Sequence, residues 1–400
     1  MRLANRIAVL TLSAAVVAAV PGVAVADEEI RDRQWHLERL DLAGAHQQSR
    51  GGGIVIGLVD TGVDAAHPDL KGAVSDGEAF GESVDPMQDP EDHGTGVASV
   101  LVGRGHGDDN AEGVLGVAPD AKIISASIGA PEGDAAARTK QISEAIEYLT
   151  DAEVDIILVT VTSGEADPAG QDVVNRAVEG KSIPIVTPVG DADDPESAFL
   201  QHPAGYTKTI SVVGTGMEDE LWQGSTPPNQ NKPEEVGAPG VEIPVAASGG
   251  DYDVRNGTAY AAAITAGTAA LVMARWPGLS VEELTNQIVG VGTTPVSDVE
   301  ALGVVSPQKA LNSDIEGHDP VDIADHPNAT GSAEGDVAYG NPMFAAAVGV
   351  VGALALAGLV VGTRLYDRRK IAAMAVPASA PPVSAPPNPR HTPPGGIPRP

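Results

Sequence analysis

Ile54-Val55-Ile56-Gly57-Leu58-Val59-Asp60-Thr61-Gly62-Val63-Asp64 is the stretch whose reading decides the fold. A short uncharged run rich in β-branched side chains reads as a strand covered on both faces, with Asp60 at its carboxyl end. Open α/β sheets gather their functional groups at that end. Comparable runs follow at 122–126, 156–161, 183–186 and 210–213, with helix patterns between them at 95–102, 135–152 and 172–179. This alternation predicts an α/β domain with a mainly parallel central sheet.

Working outward, residues 1–26 read as a signal peptide. Arg2 and Arg6 precede an apolar run from Ile7 to Val20, and Ala24-Val25-Ala26 forms a small-residue cleavage site. The mature chain is expected to begin near Asp27. Residues 27–52 read as a polar arm packed on the surface of a domain spanning 53–313. An acidic linker rich in Gly and Pro covers 314–342. The uncharged run 343–363 has the length of one transmembrane helix. Arg364, Arg368, Arg369 and Lys370 follow it, which predicts a cytoplasmic, proline-rich tail over 364–400 and an ectodomain outside the membrane.

The 400 residues contain no cysteine, so no disulfide frame and no thiolate metal site can form. A formal net charge of −31 argues against nucleic acid or anionic lipid as a partner of the ectodomain. No cofactor is predicted. Asp and Glu are so abundant that they single out no calcium site.

Asp60-Thr61-Gly62 taken alone fits an aspartic protease, but that chemistry needs a second carboxylate in a similar loop, and no Asp-Thr-Gly or Asp-Ser-Gly recurs. Instead the chain continues with His67-Pro68-Asp69-Leu70, then His93-Gly94-Thr95-Gly96-Val97-Ala98-Ser99 and Gly113-Val114-Leu115-Gly116-Val117-Ala118-Pro119. Gly237-Ala238-Pro239-Gly240-Val241 and Asn256-Gly257-Thr258-Ala259-Tyr260-Ala261-Ala262-Ala263 come late. In His67-Pro68, the histidine reads as a loop cap or packing residue.

These blocks, in this order, resemble the subtilases (subtilisin-like serine proteases) over about residues 34–312. The resemblance implies a three-layer α/β fold in which Asp60 orients and charge-stabilises His93 as general base. It places the nucleophile at Ala259, where the serine is missing. It also places the oxyanion-binding asparagine at Asp191, in Thr187-Pro188-Val189-Gly190-Asp191, and an ionised carboxylate donates no hydrogen bond there. Thr160-Val161-Thr162 stands where the family has Ser-Leu-Gly lining the cleft, and a side chain at Thr162 is expected to crowd a substrate backbone. Ala263 stands in place of a helix proline. Members of the family often bind structural calcium.

The layout of signal peptide, Gln34-Trp35 arm, one domain, linker, single span and tail resembles the mycosins, membrane-anchored proteases of type VII secretion. No long pro-domain separates Ala26 from Gly53, which fits a chain with no active enzyme to restrain. The resemblance therefore implies a pseudoprotease whose former cleft takes a peptide or protein ligand, or which scaffolds the membrane subunits of a secretion complex. An active serine endopeptidase using Asp60, His93 and another nucleophile is the alternative, with Ser225 and Ser248 nearby in sequence. Asp60 and His93 can equally persist as a hydrogen-bonded pair that holds a purely structural surface domain together.

Overall fold

A computed structural model describes residues 30–323, except 82–84, 129–134, 165, 193–200, 230, 292, 297–298 and 300–301. The signal peptide, most of the linker, the span at 343–363 and the tail lie outside the described residues. Among those residues no helix is long and apolar enough to cross a membrane.

The first central strand, β1 (Val55–Asp60), is flanked by β5 (Lys122–Ser127) and β6 (Ile156–Val159). β2 (Val74–Ala79) adds beyond β5. On the other side follow β7 (Ile185–Pro188), β8 (Ile210–Thr215), β9 (Glu235–Pro239), β13 (Gly303–Val305) and β12 (Thr293–Pro295). Among the described residues this sheet has nine strands, and only the β12–β13 pair is antiparallel. Two small antiparallel pairs stand apart from it, β3 (Arg104–His106) with β4 (Glu112–Leu115) and β10 (Ile243–Ala247) with β11 (Asp251–Arg255).

Strand alternation sorts the helices into two layers. Ile56 and Leu58 share one core cluster with α3 (His93–Val102) and α6 (Thr258–Arg275). Gly57 points the other way, and a Cβ there would lie 2.7 Å from Leu149 of α4 (Ala135–Asp151). Successive strand residues face opposite sides of a sheet, so α4 covers the face that α3 and α6 do not. The expected three-layer arrangement is present. Every residue of α6 from Thr258 to Val272 is buried, and its run of alanines lets it thread the core with neighbours pressed against its backbone.

The main strands and helices fall within a few residues of their expected places. β6 ends at Val159, two residues short of the expectation. α5 starts early, at Pro168–Asn175, because Asp167 caps it by accepting from the Ala169 amide at 2.9 Å and Pro168 suits the first helical turn. A wide π-type turn, Arg176–Gly180, continues it. α7 (Val281–Thr285) opens on a capping box in which Ser280 and Glu283 satisfy each other's backbone amides.

Residues 30–52 are more deeply involved than an arm on the surface. α1 (Trp35–Arg39) and α2 (Leu42–His46) carry Leu40, Leu42 and Ala45 into the same core cluster as β1. Gln34, 3% exposed, clamps β4 by donating to the Leu115 carbonyl at 3.0 Å and accepting from the Leu115 amide at 2.9 Å. α8 (Pro307–Asn312) completes that corner, its Ala310 and Leu311 also in the cluster.

Candidate functional site

Four element ends converge to build the site. Asp60 closes β1 opposite Ser127. His93 opens α3 after Asp92, whose φ of 59° turns the chain into the helix. Ala259 is the second residue of α6, and Asp191 follows the end of β7. These are carboxyl ends of parallel strands and the helix starts that face them, as the sequence predicts.

Asp60 is 1% exposed and heavily bonded. His93 Nδ1 lies 2.7 Å from Oδ1, the Thr61 amide donates to Oδ1 at 2.6 Å, and the Thr160 hydroxyl donates to Oδ2. Burial pushes this carboxyl up, but the His93 charge and these hydrogen bonds outweigh it and hold Asp60 below the usual carboxylate range. Because Nδ1–H is given to Asp60, the second ring nitrogen of His93 is left for other chemistry. The ring also lies 6.1 Å from that of Tyr260, the residue after Ala259.

A second buried carboxylate, Asp89, braces the dyad. The Thr61 hydroxyl donates to it at 2.8 Å and accepts from the Gly94 amide at 3.1 Å, while the Thr95 amide donates to Asp89 at 2.7 Å. This ties the loop after β1 to the first turn of α3. Burial and the neighbouring Asp60 charge push Asp89 up against the pull of those bonds. Sequence reading missed Asp89 and Tyr260, and it took Thr160 for a cleft-lining departure when its hydroxyl supports Asp60. None carries a local motif, since Thr160 lies 100 residues from its partner.

Burial pulls His93 down, but Asp60 outweighs it, with Asp89 and Asp191 adding to the effect, so the ring titrates above the ordinary 6.5. An NMR titration should place the His93 midpoint above 6.5, and Asp191→Asn should lower it. A midpoint below 6.5 would contradict this account. A raised histidine contributes stability fully below 6.5 and loses it as pH rises through the folded value.

Asp191 does something that the missing-donor argument does not foresee. Its Oδ1 accepts from the Thr258 amide at 2.9 Å and from the Thr258 hydroxyl at 2.7 Å. The carboxylate thus caps α6, where a negative charge is favoured by the aligned peptide dipoles. Its Oδ2 sits 3.4 Å from the position of a Cβ on Gly257. The Thr258 amide at the start of this helix is thus already turned toward a resident anion. Ala259 beside them is 6% exposed, its methyl group within the main core cluster.

The alternative serines are committed elsewhere. Ser225 Oγ donates to the Thr226 carbonyl at 3.1 Å and accepts from the Gly214 amide at 3.3 Å. Ser248 Oγ donates to the Asp89 carbonyl at 2.6 Å. The side chain of Thr162 is half-buried, and its carbonyl already accepts from Arg138 Nε at 2.9 Å, so a peptide adding a strand along that edge finds the acceptor occupied. His67 is a cap, as expected, with Nδ1 accepting from the Asp69 amide at 3.1 Å. Among the described residues no group of His, Asp and Glu side chains has metal-holding geometry.

A profile of the subtilase family matches residues 51–298. The chain belongs to the subtilase family. It is 27% identical to subtilisin E of Bacillus subtilis over 271 residues, covering 67% of this chain and 68% of that one. It is 29% identical to the intracellular serine protease of Paenibacillus polymyxa over 254 residues, 62% of this subtilase and 74% of the relative. Among solved structures, the serine protease MycP1, described as an essential component of the type VII (ESX-1) secretion system, matches at TM-score 0.60 and 26% identity. That match covers 74% of this chain and 91% of the other. MycP3 of the ESX-3 system matches in fold at TM-score 0.57 and 23% identity, over 70% and 88%. Structural neighbours of this subtilase thus include the mycosins MycP1 and MycP3.

Proposed function

We propose that this chain is a mycosin-like pseudoprotease, anchored in the membrane by residues 343–363, whose extracytoplasmic domain binds a peptide or protein or scaffolds a secretion complex of type VII character without cleaving its partners. The observation that carries this reading is the capped start of α6. Ala259 supplies no nucleophile, and Asp191 fills the anion-binding end of the helix. The membrane topology is supported by the uncharged run and the basic cluster after it. The setting is supported by the likeness to MycP1 and MycP3.

The test is labelling of the purified full-length chain with a fluorophosphonate probe, alongside turnover of an unstructured protein substrate. Neither should exceed background. Labelling that disappears when one serine is changed to alanine would establish the second reading, an active serine endopeptidase. That reading draws on the intact Asp60–His93 pair at 2.7 Å.

A further inference from the structure

β1 lies between β5 and β6, with Asp60 at its carboxyl end. After β6 the chain runs on as Thr160-Val161-Thr162-Ser163, starting from the threonine whose hydroxyl supports Asp60. After β5 the next element is α4, which begins at Ala135. Hydrogen bonds tie these two stretches together at two depths. In the inner layer, the Ser163 hydroxyl donates to the Ala135 carbonyl at 3.1 Å, and the buried Thr139 hydroxyl donates to Ser163 Oγ at 2.8 Å. The Ser163 amide and carbonyl are also taken, by the His202 backbone at 3.0 and 2.9 Å. In the outer layer, half-buried Arg138 of α4 donates through Nε to the Thr162 carbonyl at 2.9 Å. Opening the inner bonds would leave buried hydroxyls unpaired. Arg138 differs, because its guanidinium sits on a long stem and can swing into water.

We propose that Arg138 is a self-inhibitory latch on this edge, holding the Thr162 carbonyl until an extended peptide displaces it. The latch presupposes the peptide-binding reading of the cleft and specifies how the ligand engages it. A strand added to an edge pairs through main-chain hydrogen bonds and runs about 4.8 Å away. A donor 2.9 Å from the Thr162 oxygen stands in that lane. The ligand must therefore bring a backbone N–H that replaces the Arg138 donor. That requirement selects unstructured tails or linkers over helices, whose N–H groups are already paired. The bond that the ligand breaks comes from a charged donor and is stronger than the amide pair that replaces it. Displacement should thus weaken binding on the order of 10-fold.

The test is fluorescence anisotropy of a labelled pool of random, net-neutral decapeptides titrated with the full-length chain in detergent. Arg138→Met keeps an apolar stem and removes the donor, and it should bind the pool about 10-fold tighter than wild type. The same pool N-methylated at every amide has no backbone N–H to offer, and it should bind wild type and variant alike. Equal affinity of the unmodified pool for the two proteins overturns the latch and leaves peptide binding standing. An equal gain for both pools also overturns it, since the effect then comes from charge or space and not from the freed carbonyl. Binding of neither pool by either protein sinks the peptide-binding reading, and the latch with it. If Arg138→Met does not fold, Arg138→Ala decides by the same comparison.

Discussion

Ala259→Ser combined with Asp191→Asn is expected to convert an inert chain into one that reacts with a fluorophosphonate probe and cleaves an unstructured protein, while Ala259→Ser alone stays far weaker. The dyad is preformed, with His93 2.7 Å from Asp60 and the Thr160 hydroxyl closing the other carboxylate oxygen. A hydroxyl on the second residue of α6 then has a base waiting, but in the single variant the start of that helix still holds the Asp191 carboxylate. An asparagine there keeps a carbonyl oxygen for the Thr258 amide and turns an N–H toward the developing oxyanion. In subtilisin itself, losing the serine costs about two million-fold in turnover and losing the oxyanion donor about 100- to 1,000-fold, and the two act on the same step. The double variant should thus exceed the single one by about 100-fold or more in the rate of probe labelling. Equal rates would show that Asp191 is not what blocks the helix end.

Asp60→Ala is expected to cost about 3–5 kcal/mol of folding stability, because it removes the buried partner of an ion pair and leaves buried donors without their acceptor. The carboxylate receives the Thr61 amide, the Thr160 hydroxyl and the His93 ring, and all three lose their acceptor together. Urea unfolding gives the number directly. The pH dependence has a definite sign as well. A carboxyl held below its unfolded value contributes stability above the usual carboxylate range and loses it as pH falls through the folded value. Wild type should therefore weaken on acidification more steeply than Asp60→Ala. A variant within about 1 kcal/mol of wild type would show that the pair is dispensable to the fold, leaving ligand contact as the reason to retain it.

The parts of this architecture that could be read in advance share one property, namely that they write their environment into consecutive residues. β1 is apolar up to Asp60 because both its faces are covered, and α6 is rich in alanine because helix and sheet crowd it. Asp60, His93 and Ala259 were legible because each sits in a short block whose glycines mark tight backbone approaches. A Cβ on Gly94 would lie 2.0 Å from the Gly62 carbonyl. β2 was missed because it is an edge strand with polar positions facing outward, and β9 because Gly237 and Pro239 disguise a buried strand. The capping role of Asp191 was invisible for another reason. Its partner Thr258 is 67 residues away, and no spacing rule encodes a contact closed only by folding.

The clamp of Gln34 on Leu115, with Leu40, Leu42 and Ala45 seated in the core, sets a limit on how this chain can be processed. Trimming beyond residue 46 removes part of the hydrophobic interior along with two hydrogen bonds to a strand. Residues 34–45 are therefore built into the domain and are not a detachable stopper laid over a finished one.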